Sequence, residues 1–404
     1  MKQLKWAITF QRGHDLPSED REAGPVPVVT SGGVTAWHNV AKAVGPGIVT
    51  GRYGTIGEFH LVEQDYWPLN TALYSIDLHG NDPGFLRYML EPLAPLFHVN
   101  AAKSAVPGVD RSDIHTIPVG VPPLPTQRVI AAFLDPVTAR LDALVAAKEH
   151  VLELLAEKRR ALITRAVTRG LDPHAPLRDS GIPWLGYIPS PWAISRLKFL
   201  ATEPLAYGAN EAALEDDPSF PRFVRITDVD SEGNLRDETF KSLPPGVAEA
   251  YLLRDGDVLF ARSGATVGKA FIYKPSWGAA CFAGYLVRCR CSPDIVQPDL
   301  IFAYTQSAPY WWQLGEGTIQ ATIQNFSAEK YGNLVVPLPP SAEQRAIVAH
   351  IAAETAKLDA LRGAIERSIA LLKERRAALI AAAVTGKIDV GGGGREIEDV
   401  VDHP

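Results

Sequence analysis

The feature that most constrains this chain is a long internal repeat. The stretch from Gln127-Arg128-Val129-Ile130 to Leu171-Asp172 returns, without a gap, as Gln344-Arg345-Ala346-Ile347 to Ile388-Asp389. Within it Thr138, Leu141-Asp142, Leu155, Glu157, Arg159, Ala161-Leu162-Ile163 and Ala166-Val167-Thr168 recur as Thr355, Leu358-Asp359, Leu372, Glu374, Arg376, Ala378-Leu379-Ile380 and Ala383-Val384-Thr385. A repeat of this length fixes the architecture before any single motif is considered.

Both copies read as long helices. A proline-rich lead-in precedes each, Val121-Pro122-Pro123-Leu124-Pro125 and Val336-Pro337-Leu338-Pro339-Pro340, and Thr126 and Ser341 stand where N-caps are expected. Alternating 3,4 spacing picks out Leu134, Val137, Leu141, Leu144, Lys148, Val151, Leu155, Lys158 and Leu162 in the first copy. In the second it picks out Ile351, Glu354, Leu358, Leu361, Ile365, Ser368, Leu372, Arg375 and Leu379. Each set is a heptad seam. About 40 helical residues make a rod of roughly 60 Å, which needs a partner along its length, and the other copy is the obvious one.

The segments between the helices, about 1–122 and 173–335, read as α/β modules rich in short strands, Gly and Pro. They resemble each other faintly. Ile48-Val49-Thr50-Gly51-Arg52-Tyr53-Gly54 parallels Val258-Leu259-Phe260-Ala261-Arg262-Ser263-Gly264, each reading as a strand, an Arg-bearing Gly turn and a second strand. Divergent heads on a preserved frame suggest that the heads read something variable.

Charge argues against a uniformly basic nucleic-acid binder. The chain of 404 residues carries a net charge of −6, so local basic loops or a more basic partner must neutralise phosphate if it holds DNA. With 46% hydrophobic and 21% charged residues it can bury ordinary cores. No apolar run or leader-like N-terminus is evident, which points to the cytoplasm and away from membranes. Cys281, Cys289 and Cys291 have no C-x-x-C spacing, so they read as thiols on strands, neither disulfide framework nor zinc site. Gly264-Ala265-Thr266-Val267-Gly268-Lys269-Ala270 is one residue short of a phosphate loop, and the ten histidines form no H-x-x-x-H or H-E-x-x-H pair. Asp255-Gly256-Asp257 reads as a turn before a strand, and Asp172-Pro173-His174 is not the aromatic-ended motif of a methyltransferase. No catalytic site, metal or cofactor of its own is therefore expected.

Taken together these features resemble the specificity subunit of type I restriction-modification systems, across essentially the whole chain. The second head opens with Asp179-Ser180-Gly181-Ile182-Pro183-Trp184-Leu185-Gly186-Tyr187-Ile188-Pro189-Ser190-Pro191-Trp192, similar to the family's introduction to a target-recognition domain. Gln127-Arg128 and Gln344-Arg345 follow the proline lead-ins, and both helices end in a Glu-Lys/Arg-Arg-Ala-Leu-Ile-type run. The first head departs from the pattern: Leu4-Lys5-Trp6 matches Leu197-Lys198-Phe199, but nothing like the Trp-Leu-Gly introduction precedes it.

The resemblance implies an α+β chain of two α/β target-recognition domains separated by two long helices that pair as an antiparallel coiled coil, with pseudo-twofold internal symmetry. The expected divisions are 1–122 and 173–338 for the recognition domains, 123–172 and 339–390 for the helices, and 391–404 for a disordered acidic tail. Each head would read one half of a bipartite target in double-stranded DNA. The helices would dock two methyltransferase subunits, and restriction-translocation subunits would join that core. These partners would supply S-adenosylmethionine, ATP and magnesium chemistry.

Base readout needs Arg, Lys, Asn or Gln offered from loops, while hydroxyls and Tyr hold phosphates. The candidates are Gln11, Arg12, Arg52, Tyr53, Lys103 and Arg111 in the first head. In the second they are Tyr207, Arg225, Arg262, Ser263, Lys269, Gln320, Thr322, Gln324 and Asn325. Arg52 and Arg262 rank first because they occupy matching turns. Trp311-Trp312 reads as core or edge packing in preference to a base-stacking platform. A protein scaffold with peptide- or carbohydrate-binding heads, and a reader fused to an enzyme, are the rival readings; retention on DNA separates the first, and turnover by the isolated chain the second.

Overall fold

Two helices dominate the computed structural model, which describes residues 1–101, 108–230, 233–316 and 325–390. They span Leu124–Arg169 and Ser341–Val384, each roughly 65–70 Å long at 1.5 Å per residue. Both start ahead of the expected caps. Gln127 N–H donates to Pro123 O at 3.1 Å and Gln344 N–H to Pro340 O at 3.0 Å, so Thr126 and Ser341 lie inside the first turn. Proline tolerates this position because its φ is already helical and no partner is needed there for an N–H.

The repeated glutamine is a buried clamp. Gln127 accepts from Asp82 N–H at 2.8 Å and donates to Asn81 Oδ1 and Pro122 O, both at 2.8 Å. Gln344 accepts from Gln297 N–H at 2.9 Å and donates to Pro339 O at 2.9 Å and Ile295 O at 3.0 Å. In each half, one amide ties the proline lead-in and the long helix to the start of a short helix, Pro83–Leu90 or Pro298–Tyr304.

The chain divides into two compact units, Met1–His150 with Ile365–Pro404, and Val151–Ala364. Each contains one head and a stretch of both long helices. In the first unit Arg376 pairs with Asp142 at 2.9 Å and Lys373 with Glu149 at 3.0 Å, so the helices run antiparallel. In the second, Arg159 pairs with Asp359 at 2.7 Å. Asp142 and Asp359 are repeat equivalents, as are Arg159 and Arg376, so the same pair is made twice with the copies exchanging roles.

The seam follows the expected period but not all of the expected residues. Leu144, Val151 and Leu361 are exposed, and Lys158 is too. Val145, Leu152 and Arg159 turn inward in their place, matched by Arg362, Ile369 and Arg376 in the second copy. Apolar pairs at 144–145 and 151–152 leave two registers open to pattern alone. Arg159 and Arg376 decide between them by reaching the repeated aspartates.

The heads share one topology. In the first, Thr9–Arg12, Ala72–Asp77, Gly47–Gly51 and Phe59–Val62 form an antiparallel sheet in that order. In the second, Ala206–Tyr207, Leu286–Cys289, Val258–Ala261 and Ala270–Ile272 repeat it. A parallel pair recurs as well, Val26–Thr30 with Trp67–Pro68 and Arg222–Val224 with Ala280–Phe282. Five equivalent positions join each head's core to the helices: Ile130, Leu134, Ile163, Ala166 and Val167, and Ile347, Ile351, Ile380, Ala383 and Val384. All three cysteines are buried, and burial pushes the Cys281 thiol up to about 12.

Candidate nucleic-acid interface

The strand that ends at Gly51 or Ala261 delivers its arginine with the same backbone bonds in both heads. Arg52 N–H donates to Thr71 O and Arg262 N–H to Tyr285 O, each at 3.0 Å. Arg52 O accepts from Val109 N–H at 2.9 Å, and Arg262 O from Phe326 N–H at 2.8 Å. Gly57 and Gly268 close the turns at φ 84° and 88°, where a Cβ would stand 2.9 Å from Ala94 and 2.8 Å from Trp311. Tyr331 and Tyr310 brace the second turn from below, donating to Ala261 O at 2.6 Å and Gly268 O at 2.8 Å. Such bracing leaves the arginine on a rigid platform.

In the first head this platform opens onto a cleft of about 670 Å³ lined by Gln11, Arg12, Gly13, His14, Asp15, Arg52, Leu73, Val109, Asp110 and Arg111. Four candidates thus meet in one concavity. Tyr53 lies at its margin, its ring 4.6 Å from the Arg52 guanidinium. Arg12, Arg52 and Arg111 make no ion pair among the described residues. Asp110 caps the short helix Arg111–His115. The Ser112 hydroxyl and N–H hold its carboxyl below the ordinary range, with Arg111 and Arg52 adding to the effect. Three guanidiniums against two carboxylates make a cleft suited to an anionic ligand with hydrogen-bonding edges. Lys103 lies outside the described residues.

The second head gathers Tyr207, Arg262, Ser263 and Asn325. The Arg262 guanidinium lies 4.5 Å from the Tyr207 ring centre and donates to Gly284 O at 3.3 Å and Asn325 Oδ1 at 3.4 Å. Ser263 and Asn325 form an antiparallel bridge. Tyr207 corresponds to Arg12, since both precede a glycine, Gly208 or Gly13, whose Cβ would fall 2.1 Å from Phe282 O or Leu69 O. Lys269 is exposed at the far end of the turn. Gln320, Thr322 and Gln324 lie outside the described residues.

Arg225 stands apart from this group. Its guanidinium grips Asp228 through two bonds, at 2.8 and 2.9 Å, and donates to Thr239 O at 2.7 Å. Asp228 is 1% exposed, so Arg225 neutralises a buried carboxylate. Asp257 is similarly occupied, accepting from Arg290 at 2.7 and 2.8 Å. Trp311 and Trp312 are not core residues: they are 46% and 42% exposed, and Trp312 stacks on Trp184 at 5.3 Å. They line a second cleft of about 830 Å³ with Arg160, Arg165 and Arg169.

Sequence reasoning passed over His14, Asp15 and Asp110 in the first cleft. The polar run Arg12-Gly13-His14-Asp15 after an apolar strand was the available signal. It also passed over Tyr285, which is 64% exposed and whose carbonyl accepts from Arg262 N–H.

Residues 10–154 match the family model for the type I restriction modification DNA specificity domain. Over that stretch the chain is similar to the type I specificity subunits. It is 24% identical over 298 residues to the EcoKI specificity subunit of Escherichia coli K12, covering 71% of this chain and 61% of that one. It is 21% identical over 315 residues to the EcoBI specificity subunit of Escherichia coli, covering 75% and 65%. The chain thus spans under two thirds of the length of these relatives. A solved chain described under complex assembly and conformational transition of the type I R-M system shares the fold, with a TM-score of 0.66 at 17% identity over 86% of this chain and 83% of that one. The family match covers the first cleft and its Arg52 turn; the repeated topology extends the same fold to the second head.

Proposed function

We propose that this chain is the DNA-reading component of a type I restriction-modification complex, one head per half of a bipartite duplex target, with catalysis left to its partners. One observation carries the reading: both heads present an arginine from the same turn, on the same backbone bonds, with different neighbours around it. Arg12, Arg111 and Asp110 surround Arg52, whereas Tyr207 and Asn325 surround Arg262. A shared scaffold with unlike rims is what two unlike half-sites require, since arginine offers a fork to guanine or phosphate and its neighbours set the discrimination.

Docking of two methyltransferase subunits on the helices has its own support. Leu144 and Leu361 are 43% and 47% exposed, and Leu154 and Leu371 are 48% and 64% exposed. These are repeat-equivalent pairs, so the helices carry the same outward leucines twice. Restriction-translocation subunits would join through that complex. Among the described residues, no helix is long and apolar enough to cross a membrane.

The test is to co-express the chain with its cognate methyltransferase and map methylated adenines by long-read sequencing. One split motif is expected, one half changing when residues 1–122 are exchanged for another head and the other when 173–335 are. Methylation without a motif would overturn the reading.

A further inference from the structure

Each head contains a short helical turn that its reading surface does not use. Leu4–Trp6 and Leu197–Phe199 are 3-10 turns at equivalent places. Leu4 N–H donates to Ile117 O at 2.8 Å and Leu197 N–H to Leu334 O at 2.9 Å. Leu4 and Leu197 are buried, at 0% and 1% exposed. The ring two residues on is turned out in both: Trp6 is 57% exposed and Phe199 64%. A lysine lies over each, Lys5 Nζ at 5.1 Å from the Trp6 ring centre and Lys198 Nζ at 5.3 Å from that of Phe199.

A single exposed aromatic needs no explanation, but a duplicated one does. The heads have diverged over most of their length, and the residues around Arg52 and Arg262 differ. What two diverged heads retain on their surfaces should face something identical on both sides. Two copies of one protein satisfy that. The sugar-phosphate backbone of DNA is also identical on both sides, yet it has no apolar pocket for an indole or a phenyl ring. The lysine occupies one ring face and adds positive charge at its edge, so the complementary surface is an apolar socket with an acidic rim.

We propose that Trp6 with Lys5, and Phe199 with Lys198, are a matched pair of anchors, each inserting into the same acidic-rimmed apolar socket on one of two identical methyltransferase subunits. The inference rests on the reading above that such subunits dock here, and it assigns them a contact on the heads in addition to the helix leucines.

Native mass spectrometry and titration calorimetry of the full chain with its cognate methyltransferase test the assignment. Wild type should hold two copies. Trp6→Ala and Phe199→Ala should each weaken one copy by about tenfold or more, as loss of an aromatic interface anchor does, and the double variant should weaken both. Trp6→Phe and Phe199→Trp should retain binding, because one socket serves both rings. Unchanged thermal melting of the free variants identifies the loss as interfacial. Two copies held at wild-type affinity by both alanine variants would overturn the proposal. Retained stoichiometry with weaker DNA binding by the complex would also overturn it, placing the rings on DNA. If wild type itself bound no methyltransferase, the reading of helix docking would fall first, and this inference with it.

Discussion

Arg52 and Arg262 lie on corresponding turns, so on the proposed function their substitution should separate the two half-sites. Arg262→Ala in the assembled complex is expected to cost about 1–3 kcal/mol of DNA affinity and relax the motif in one half only, as methylation mapping would register. A uniform loss across sequences would place the guanidinium on phosphate. Arg225→Ala should behave differently, destabilising the second head by about 3 kcal/mol because buried Asp228 loses its counter-charge; a thermal melt of the free chain reads this. His115 accepts a hydrogen bond from Phe10 N–H at 3.0 Å, and burial, with Arg111 and Lys5 nearby, holds its imidazole below the ordinary 6.5. The unfolded chain therefore takes up the proton first. Stability of the first unit should be full above pH 6.5 or so and decline as pH falls from there towards the lowered value, and His115→Gln should flatten that part of the profile.

At the scale of elements, the sequence disclosed both helices and the matched turns because each rests on a local pattern. The repeat supplied the helices, and the strand-Arg-Gly order supplied the turns. The seam register was less legible, since adjacent apolar residues at 144–145 and 151–152 satisfy either choice. Ile369→Ala should accordingly cost about 2 kcal/mol as a buried contact is lost, whereas Leu371→Ala should shift stability by less than about 0.5 kcal/mol and act on partner binding instead; denaturant melts separate the two. The cleft was legible only in part. Arg12 and Arg111 lie about a hundred positions apart in the chain, and only the folded head shows that they and Asp110 share a wall. Arg225 follows an apolar strand in sequence as Arg262 does, though without its Gly turn, and its buried partner three residues on was visible only once the chain closed on itself.

For the whole molecule, a net charge of −6 coexists with the arginine-rich cleft of the first head. The free chain is expected to hold DNA weakly, with an affinity that falls steeply with salt, and the methyltransferase complex to hold it more tightly; titrations at several ionic strengths would show the change in slope. The twin ion pairs between the helices carry a further implication. Asp142 meets Arg376 and Arg159 meets Asp359, so each repeat bears both the donor and the acceptor needed to greet its own duplicate. Either half of the gene thus encodes a self-complementary surface. A product spanning 173–390 alone would have the means to form a homodimer, and a reader made from two identical heads would recognise a palindrome. On the proposed DNA-reading function, a frameshift or a recombination event between the repeats would then alter the symmetry of the target.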